Sequence, residues 1–232
     1  MAQISCSCRG QILQTLIGNI MKKIIIACCV LVACVGWAAL HHIPIINGKI
    51  TVLAGKIITY AFEDNFENNN LNKWTTAGAA WSTASAQKYS GTYSAYVNTI
   101  TNVVGRELKK TLPSALTKAR LTLYVRTQNT DSKRYIIHDP AFVLTMYDGH
   151  FQYYDGSYHY LPTDTTFIAE QWYKIRVDFD ASANSIKYWI DDAYKGEVTD
   201  IAFASVPTIE FSGHPVVGLD FWIDDVTMIE LK

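Results

Sequence analysis

The sequence predicts an all-β protein, a two-sheet antiparallel jelly-roll sandwich preceded by an N-terminal hydrophobic signal or anchor segment. From residue 50 onward, apolar and polar residues alternate with a period of two, and turn residues interrupt this pattern at short intervals. Tyr and Thr are abundant, and only short segments such as 113–119 and 200–204 could be helical. About ten short strands without a repeated unit favour a sandwich over a propeller or a solenoid.

The composition excludes several classes of protein. The 232 residues suffice for one substantial domain with a targeting segment. The net charge is −1 and no long basic run occurs, so we expect no nucleic-acid partner. Because no cysteine follows residue 34, the body of the chain has no disulfide framework, thiolate metal site or catalytic cysteine. The five cysteines are Cys6, Cys8, Cys28, Cys29 and Cys34.

The N-terminal region has the layout of a secretory signal. The basic start Met21-Lys22-Lys23 precedes an apolar stretch, so we interpret residues 1–20 as an upstream extension and 21–40 as a signal peptide or membrane anchor. The residues Leu-Val-Ala-Cys that end at Cys34 resemble the lipobox of bacterial lipoproteins. That resemblance implies lipidation of Cys34 and membrane attachment through a lipid.

Two alternatives to lipidation stay open. The apolar run from Ile24 through Leu40 has 17 residues, close to the shortest membrane-spanning helix. Cleavage after Ala38 or Ala39 would instead release a soluble protein. All three routes predict an extracytoplasmic protein, at the cell surface or secreted.

The folded domain is predicted to span residues 58–232, after a linker or edge strand at 41–57. Within "RLTLYVRT", Leu121, Leu123 and Val125 share one face and Tyr124 lies on the other. The segments "WYKIRVDFD" and "IKYWIDD" alternate in the same way, and Asp148-Gly149 indicates a tight hairpin.

Three segments of this body carry a resemblance to a known superfamily. "FEDNFENNNLNKWTTAGAAWSTASAQKYSGTYSAYVN" resembles the opening of secreted jelly-roll modules. "WYKIRVDFDASANSIKYWIDDAYKGE" is similar to paired strands of laminin-G-like domains in the concanavalin A-like lectin/glucanase superfamily, and "FWIDDVTMIE" resembles their last strand. The resemblance implies the fold, whereas function on this fold varies widely.

Acidic residues near the two ends of the domain predict a structural Ca²⁺ site. The first and last strands are neighbours in such jelly rolls, and carboxylate oxygens are the ligands that Ca²⁺ prefers. Since Asp224 and Asp225 point to opposite faces of a strand, only one of them can bind the ion. The expected ligands are Glu63, Asp64 and Asp225. In the alternative interpretation these carboxylates only cap turns.

The carboxylates give little support to catalysis. Retaining glycosidases need two carboxyl groups about 5.5 Å apart, and glucanases of this fold place them in an E-x-D-x-x-E motif that is absent here. Glu210 is expected to project alone, and Asp178 with Asp180 lacks a glutamate partner. The paired motifs of jelly-roll polysaccharide lyases do not match either. We therefore expect a non-catalytic protein, with a hydrolase or lyase as a lesser alternative.

The outward faces of the strands predict a glycan-binding surface, provided that these strands are neighbours in one sheet. Aromatic rings stack on sugar rings, and four cations among the outward residues favour an anionic polysaccharide. In the competing interpretation the rings are merely good strand formers and the cations keep the sheet soluble. The outward set is Tyr124, Arg126, Gln152, Tyr154, Lys174, Arg176, Lys187 and Trp189. The expected ligand-binding residues are Tyr124, Arg126, Tyr154, Arg176 and Trp189.

A structural role is the competing function. A surface, adhesion or appendage subunit would use the same fold for protein contacts, for example by strand addition at an apolar edge near Ile50–Phe62. The tyrosine-rich segment "YDGHFQYYDGSYHYL" is expected to be mainly a hairpin. It leaves Tyr154 and either Tyr158 or Tyr160 as ligand candidates.

Overall fold

A computed structural model describes residues 51–53, 56–98, 107–131, 133–139, 142–163, 165–213 and 220–232. They belong to one compact unit, Ile50–Lys232. The predicted extension, the signal or anchor segment and the lipidated Cys34 lie outside the described residues. In the described part of the chain, no helix has the length and apolar character needed to cross a membrane.

All regular elements of the described ranges are strands. They are β1 Thr51–Leu53, β2 Lys56–Ile58, β3 Tyr60–Asp64, β4 Thr76–Ala77, β5 Trp81–Ala84, β6 Ser94–Asn98, β7 Glu107–Leu116, β8 Lys118–Thr127, β9 Arg134–Asp139, β10 Phe142–Tyr147, β11 His150–Tyr154, β12 Tyr158–Tyr160, β13 Trp172–Asp180, β14 Ser185–Ile190, β15 Ala193–Thr199, β16 Val206–Gly213 and β17 Asp220–Glu230.

Two antiparallel sheets form the sandwich, which confirms the predicted fold class. Sheet I has eight strands in the order β15-β14-β13-β8-β17-β6-β5, and β3 also pairs with β17. Sheet II has seven strands in the order β12-β11-β10-β9-β16-β7-β4. The predicted neighbourhood of the first and last strands of the domain is correct, since Asp64 on β3 lies opposite Val226 on β17. Strands β1 and β2 pair with each other in a separate two-stranded sheet.

The core lies between the inner faces of the two sheets. On sheet I, Leu121, Leu123 and Val125 of β8 are buried, and alternate residues of β13 and β14 are buried with them. On sheet II, Leu144 and Phe151 are fully buried. The period-two prediction is therefore confirmed for these strands, and the intervening residues of β8, β13 and β14 point away from the core.

The two short helical possibilities are wrong. Residues 113–116 complete β7, and 118–119 begin β8. The segment 200–204 is irregular. The reason is burial: Leu116 and Ala119 enter the core only when their strands pair with β16 and with β13 and β17. Tertiary packing overrides weak helix propensity in such short segments.

A carboxylate joins two loops beside β3 and β6. Glu67 Oε1 accepts the backbone N–H groups of Thr92 and Tyr93 at 2.8 and 2.9 Å, and these bonds lower the pKa of Glu67. Gly91 lies under this carboxylate with a φ of 58°, and a Cβ there would stand 2.5 Å from Glu67 Oε1. The glycine in "SGTYS" is therefore required both by conformation and by space.

We predict that Gly91→Ala destabilises the domain more than Gly149→Ala. Both glycines have a left-handed φ, so each substitution costs about 1–2 kcal/mol of backbone strain. A Cβ at Gly149 meets nothing closer than 3.9 Å, whereas one at Gly91 displaces Glu67 from its two hydrogen bonds. Urea unfolding of the two variants measures the difference. Equal losses of unfolding free energy would show that the Glu67 contact contributes nothing.

Candidate functional site

Strand order brings four of the five expected ligand residues onto the outer face of sheet I. Tyr124 on β8 lies opposite Lys174 on β13, and Arg176 on β13 lies opposite Trp189 on β14. Arg126 continues the same face of β8. The fifth residue, Tyr154, is on β11 of sheet II and therefore belongs to the opposite side of the sandwich.

Three rings surround a hollow on this face. The ring of Tyr89 stacks on that of Tyr124, with centroids 3.5 Å apart and planes inclined by 14°. The edge of Trp172 approaches Tyr89 at 6.2 Å. The hollow has a volume of about 200 Å³ and is also lined by Lys174, Asp191 and Asp192. We call these six residues the Tyr89 hollow.

Sequence reasoning missed Tyr89 because a loop brings it to the sheet. The carboxylate Oδ2 of Asp224 accepts the backbone N–H groups of Tyr89 and Ser90 at 2.9 and 3.1 Å. Asp225 Oδ2 accepts the hydroxyl of Ser90 at 2.9 Å. The signal in the sequence was the Asp224-Asp225 pair, but only the fold shows which loop it holds. Trp172 lies on the same face of β13 as Lys174 and Arg176 but was not among the expected ligand residues.

A tight turn places two carboxylates at the rim of the hollow. Asp191 and Asp192 connect β14 to β15 with φ values of 50° and 64°, as in a type I′ hairpin. Asp191 Oδ1 accepts the backbone N–H of Lys174 at 2.8 Å, and Lys174 Nζ pairs with Asp192 at 2.8 Å. The turn therefore fixes polar groups of both signs next to the three rings.

Two further aromatic groups flank the hollow on sheet I. The guanidinium of Arg176 stacks over Trp189 at 3.9 Å, and Trp189 contacts Tyr194 at 5.3 Å. On the other flank, Arg126 lies over Trp222 at 5.2 Å. Arg126 is only 9% exposed, so its side chain supports this group rather than offering a free charge to a ligand.

Most of the outward cations are neutralised by neighbours. Arg120 donates two hydrogen bonds of 2.7 Å to the carboxylate of Asp178, and Arg176 donates two to the same carboxylate, of 3.1 and 2.8 Å. Burial alone raises the pKa of Asp178, but these bonds outweigh it and lower the pKa overall. Lys187 approaches Glu197 at 3.7 Å, and Lys174 pairs with Asp192. The mixed signs give this face little net charge.

Among the residues expected to bind Ca²⁺, Asp64 and Asp225 have protein partners for their carboxylates. Asp64 is buried, and its two oxygens serve the backbone N–H of Phe66, the indole N–H of Trp74 and the ammonium of Lys73. The described residues contain no group of three acidic, histidine or cysteine side chains that could hold an ion. Asp64 and Asp225 therefore anchor loops, and the Ca²⁺ site stays a prediction.

The carboxylates of Glu210 and Asp180, which were considered for catalysis, form ion pairs with lysines. Glu210 does not project alone: it lies opposite Lys109 and pairs with it at 3.3 Å. Asp180 pairs with Lys118 at 2.9 Å, and the hydroxyl of Ser182 and this ammonium lower the pKa of Asp180 to about 2. A carboxyl held ionised in this way is a poor general acid.

The phenol of Tyr124 stays protonated at neutral pH. Burial raises the pKa of Tyr124 well above its ordinary value, and the hydrogen bond with Tyr89 raises it further. The Tyr124 hydroxyl can therefore donate as well as accept a hydrogen bond. Such a site combines π faces, neutral hydroxyls, carboxylates and one ammonium, which is a set for recognising polar ring compounds.

Comparison with known proteins identifies the fold. No family model and no curated protein sequence matches this chain. Among solved structures, a cellulose-induced protein, Cip1, is similar with a TM-score of 0.56 and 13% identity over 72% of this chain and 96% of that one. Domain 4 of AbnA, an extracellular arabinanase from Geobacillus stearothermophilus, has a TM-score of 0.53 and 15% identity over 75% and 93%.

A sialidase is similar as well, with a TM-score of 0.57 and 11% identity over 76% of this chain. The match spans only 19% of the sialidase chain. These likenesses agree with the two-sheet β-sandwich that the sequence predicted. At such low identity they show the fold alone.

We predict that Asp224 makes the domain less stable as the pH rises from about 4 to 7. Burial raises the pKa of Asp224 to about 6, above about 3.9 in an unfolded chain. The folded state therefore holds this proton more tightly, and the associated stability is lost as the pH rises through about 6. Between pH 4 and pH 7, the free energy of unfolding of the wild type, measured in urea, should fall by about 2–3 kcal/mol more than that of Asp224→Asn. Parallel pH profiles of the two proteins would contradict the assignment.

Proposed function

We propose that the protein is an exported, non-catalytic carbohydrate-binding domain whose ligand site is the Tyr89 hollow. The observation that carries this proposal is the stack of Tyr89 on Tyr124 beside Trp172, with Lys174, Asp191 and Asp192 at the rim. These residues come from a loop, two strands and a turn. They lie on the outer face of sheet I and do not contribute to the core.

The chemistry of the hollow suits a sugar ring. One face of a pyranose or furanose presents C–H groups, which pack against the electron-rich face of an aromatic ring. The hydroxyls at the ring edge need donors and acceptors, which Lys174, Asp191 and Asp192 provide. The volume of about 200 Å³ is smaller than the roughly 300–1,000 Å³ of enclosed small-molecule pockets. The site therefore suits one unit of a longer chain that lies across the surface.

The ion pairs favour a neutral glycan over an anionic one. The preference for an anionic polysaccharide rested on four outward cations, but Lys174, Arg176 and Lys187 each pair with a carboxylate. Arg126 is buried beside Trp222. An anionic chain would have to compete with these carboxylates and would also approach Asp191 at the rim.

The fold is compatible with this role. The solved structure of domain 4 of AbnA contains arabinotriose, so a similar sandwich is found with a neutral oligosaccharide. The binding mode proposed for the present chain rests on its own residues. The competing role, strand addition near Ile50–Phe62, would use the second edges of strands whose first edges are paired, β1 with β2 and β3 with β17.

We predict that the full-length chain, purified in mild detergent, binds neutral oligosaccharides on a glycan array and that Trp172→Ala weakens this binding at least tenfold. Truncating an aromatic anchor at the centre of a site typically costs 2 kcal/mol or more. Ile168→Ala is the matched control, because Ile168 is exposed but lies outside the hollow.

Salt dependence separates the two ligand classes. Affinity for a neutral glycan should stay within about twofold between 0.05 and 0.5 M NaCl, whereas binding of an anionic chain weakens as charges are screened. Strong salt dependence, or a preference for uronates, would reject the neutral class. Failure to bind any glycan would reject the proposed function and favour the structural role.

The membrane anchor is proposed from the sequence. The layout of residues 21–40 and the Leu-Val-Ala-Cys motif support lipidation of Cys34, which would hold the domain at the outer side of a membrane. In a bacterial host, Cys34→Ala should remain an uncleaved precursor, whereas Cys29→Ala should mature normally. Immunoblotting for the two sizes checks this. Normal maturation of Cys34→Ala would favour the membrane helix or ordinary signal cleavage.

A further inference from the structure

Two rings of the hollow, those of Tyr89 and Tyr124, are stacked at van der Waals distance. Their centroids are 3.5 Å apart, and their planes are inclined by only 14°. A hydrogen bond also joins the two hydroxyls. Because the rings are nearly parallel and their hydroxyls are neighbours, the ring carbons next to the hydroxyls lie face to face as well. These are the carbons at which phenols couple when they are oxidised.

Two other tyrosine pairs lack this arrangement. The rings of Tyr154 and Tyr158 have centroids 4.8 Å apart, and their planes are inclined by 51°. The rings of Tyr153 and Tyr188 are closer to parallel, but their centroids are 6.5 Å apart and Tyr188 is fully buried. Neither pair holds its reactive carbons face to face at contact distance.

Tyr89 is the accessible member of the stacked pair. It is 48% exposed, whereas Tyr124 on β8 is half-buried beneath it. An oxidant can therefore reach Tyr89 directly, and the contact between the rings lets an electron pass from Tyr124. Asp224 accepts the backbone N–H groups of Tyr89 and Ser90, so the loop holds the two rings together while both are oxidised.

We propose that Tyr89 and Tyr124 are a site of oxidative cross-linking, at which hydrogen peroxide and a haem peroxidase join the two rings into dityrosine. Each ring loses one electron and its phenolic proton and becomes a phenoxyl radical. The two radicals form a C–C bond between the carbons next to their oxygens, and the hydrogens on these carbons then move to the oxygens and restore both phenols. The two electrons and two protons reduce one molecule of hydrogen peroxide to two molecules of water.

The cross-link would give this part of the chain a covalent bond that cysteine does not provide, since no cysteine follows residue 34. Hydrogen bonds to Asp224 and Asp225 attach the loop that carries Tyr89 to sheet I. A bond to β8 would close the chain between Tyr89 and Tyr124 and restrict the unfolded state, as a disulfide does. The joined rings would lie side by side, so coupling would also reshape the hollow. The inference rests on the ring stack and does not require glycan binding.

Peroxidase treatment of the full-length chain in mild detergent tests this inference. The chain is kept dilute, the monomer is isolated, and its dityrosine is measured by fluorescence and located by mass spectrometry of peptides. Tyr89→Phe and Tyr124→Phe each keep a ring in the stack but remove one phenol. Tyr160→Phe is the matched control, because Tyr160 is 59% exposed and belongs to sheet II.

The expected product is a monomer that has lost two hydrogen atoms and contains one linked pair of peptides, with Tyr89 in one and Tyr124 in the other. Both stack variants should lose the monomeric dityrosine, whereas Tyr160→Phe should match the wild type. The inference is overturned if monomeric dityrosine persists in both stack variants, if the link maps to other tyrosines, or if dityrosine forms only between molecules or not at all. The cross-linked monomer should also unfold at a higher urea concentration than the untreated chain, and an unchanged midpoint would contradict the stabilising role.

Discussion

Side chains of a β-strand alternate between two faces, and the central strands of sheet I devote one face entirely to the core. Leu123 on β8 and Ile175 on β13 are fully buried. The residues that precede and follow each of them along its own strand must therefore face outward, whatever their chemistry. Apolar burial of this kind stabilises the sandwich by roughly 25 cal/mol per Å² removed from water. Since the core requires nothing from the outer face, Tyr124, Lys174 and Trp189 can serve a ligand without a cost to folding.

Buried carboxylates connect this scaffold to its loops. The oxygens of Asp224 and of Asp64, which was an expected metal ligand, accept N–H groups from the protein. A buried carboxylate is stable only if such donors compensate its lost hydration. The same bonds determine the positions of Tyr89 and Trp74. The position of Tyr89 in the hollow therefore depends on a polar contact with Asp224, whose side chain is shielded from solvent.

The ion pairs on the outer face of sheet I change which class of ligand this face suits. Considered as a list of residues, sheet I offers a row of cations and suits an anionic chain. Considered as a structure, Asp178 bridges Arg120 and Arg176, and the Asp191-Asp192 turn faces Lys174. Exposed ion pairs of this kind add little stability, but they weaken the electrostatic field that a charged ligand would follow. The polar groups that remain suit hydroxyls.

The sequence by itself determined the fold class, the strand faces and the tight turns, because alternation and turn chemistry act between residues close in the chain. The Asp148-Gly149 hairpin and the buried face of β13 follow from such local rules. Only the tertiary structure decided which faces share a sheet, and it placed Tyr154 away from Tyr124. It also brought Tyr89 to Asp224, 135 residues away. Contacts of that range depend on strand order and loop docking, and no local pattern of residues encodes them.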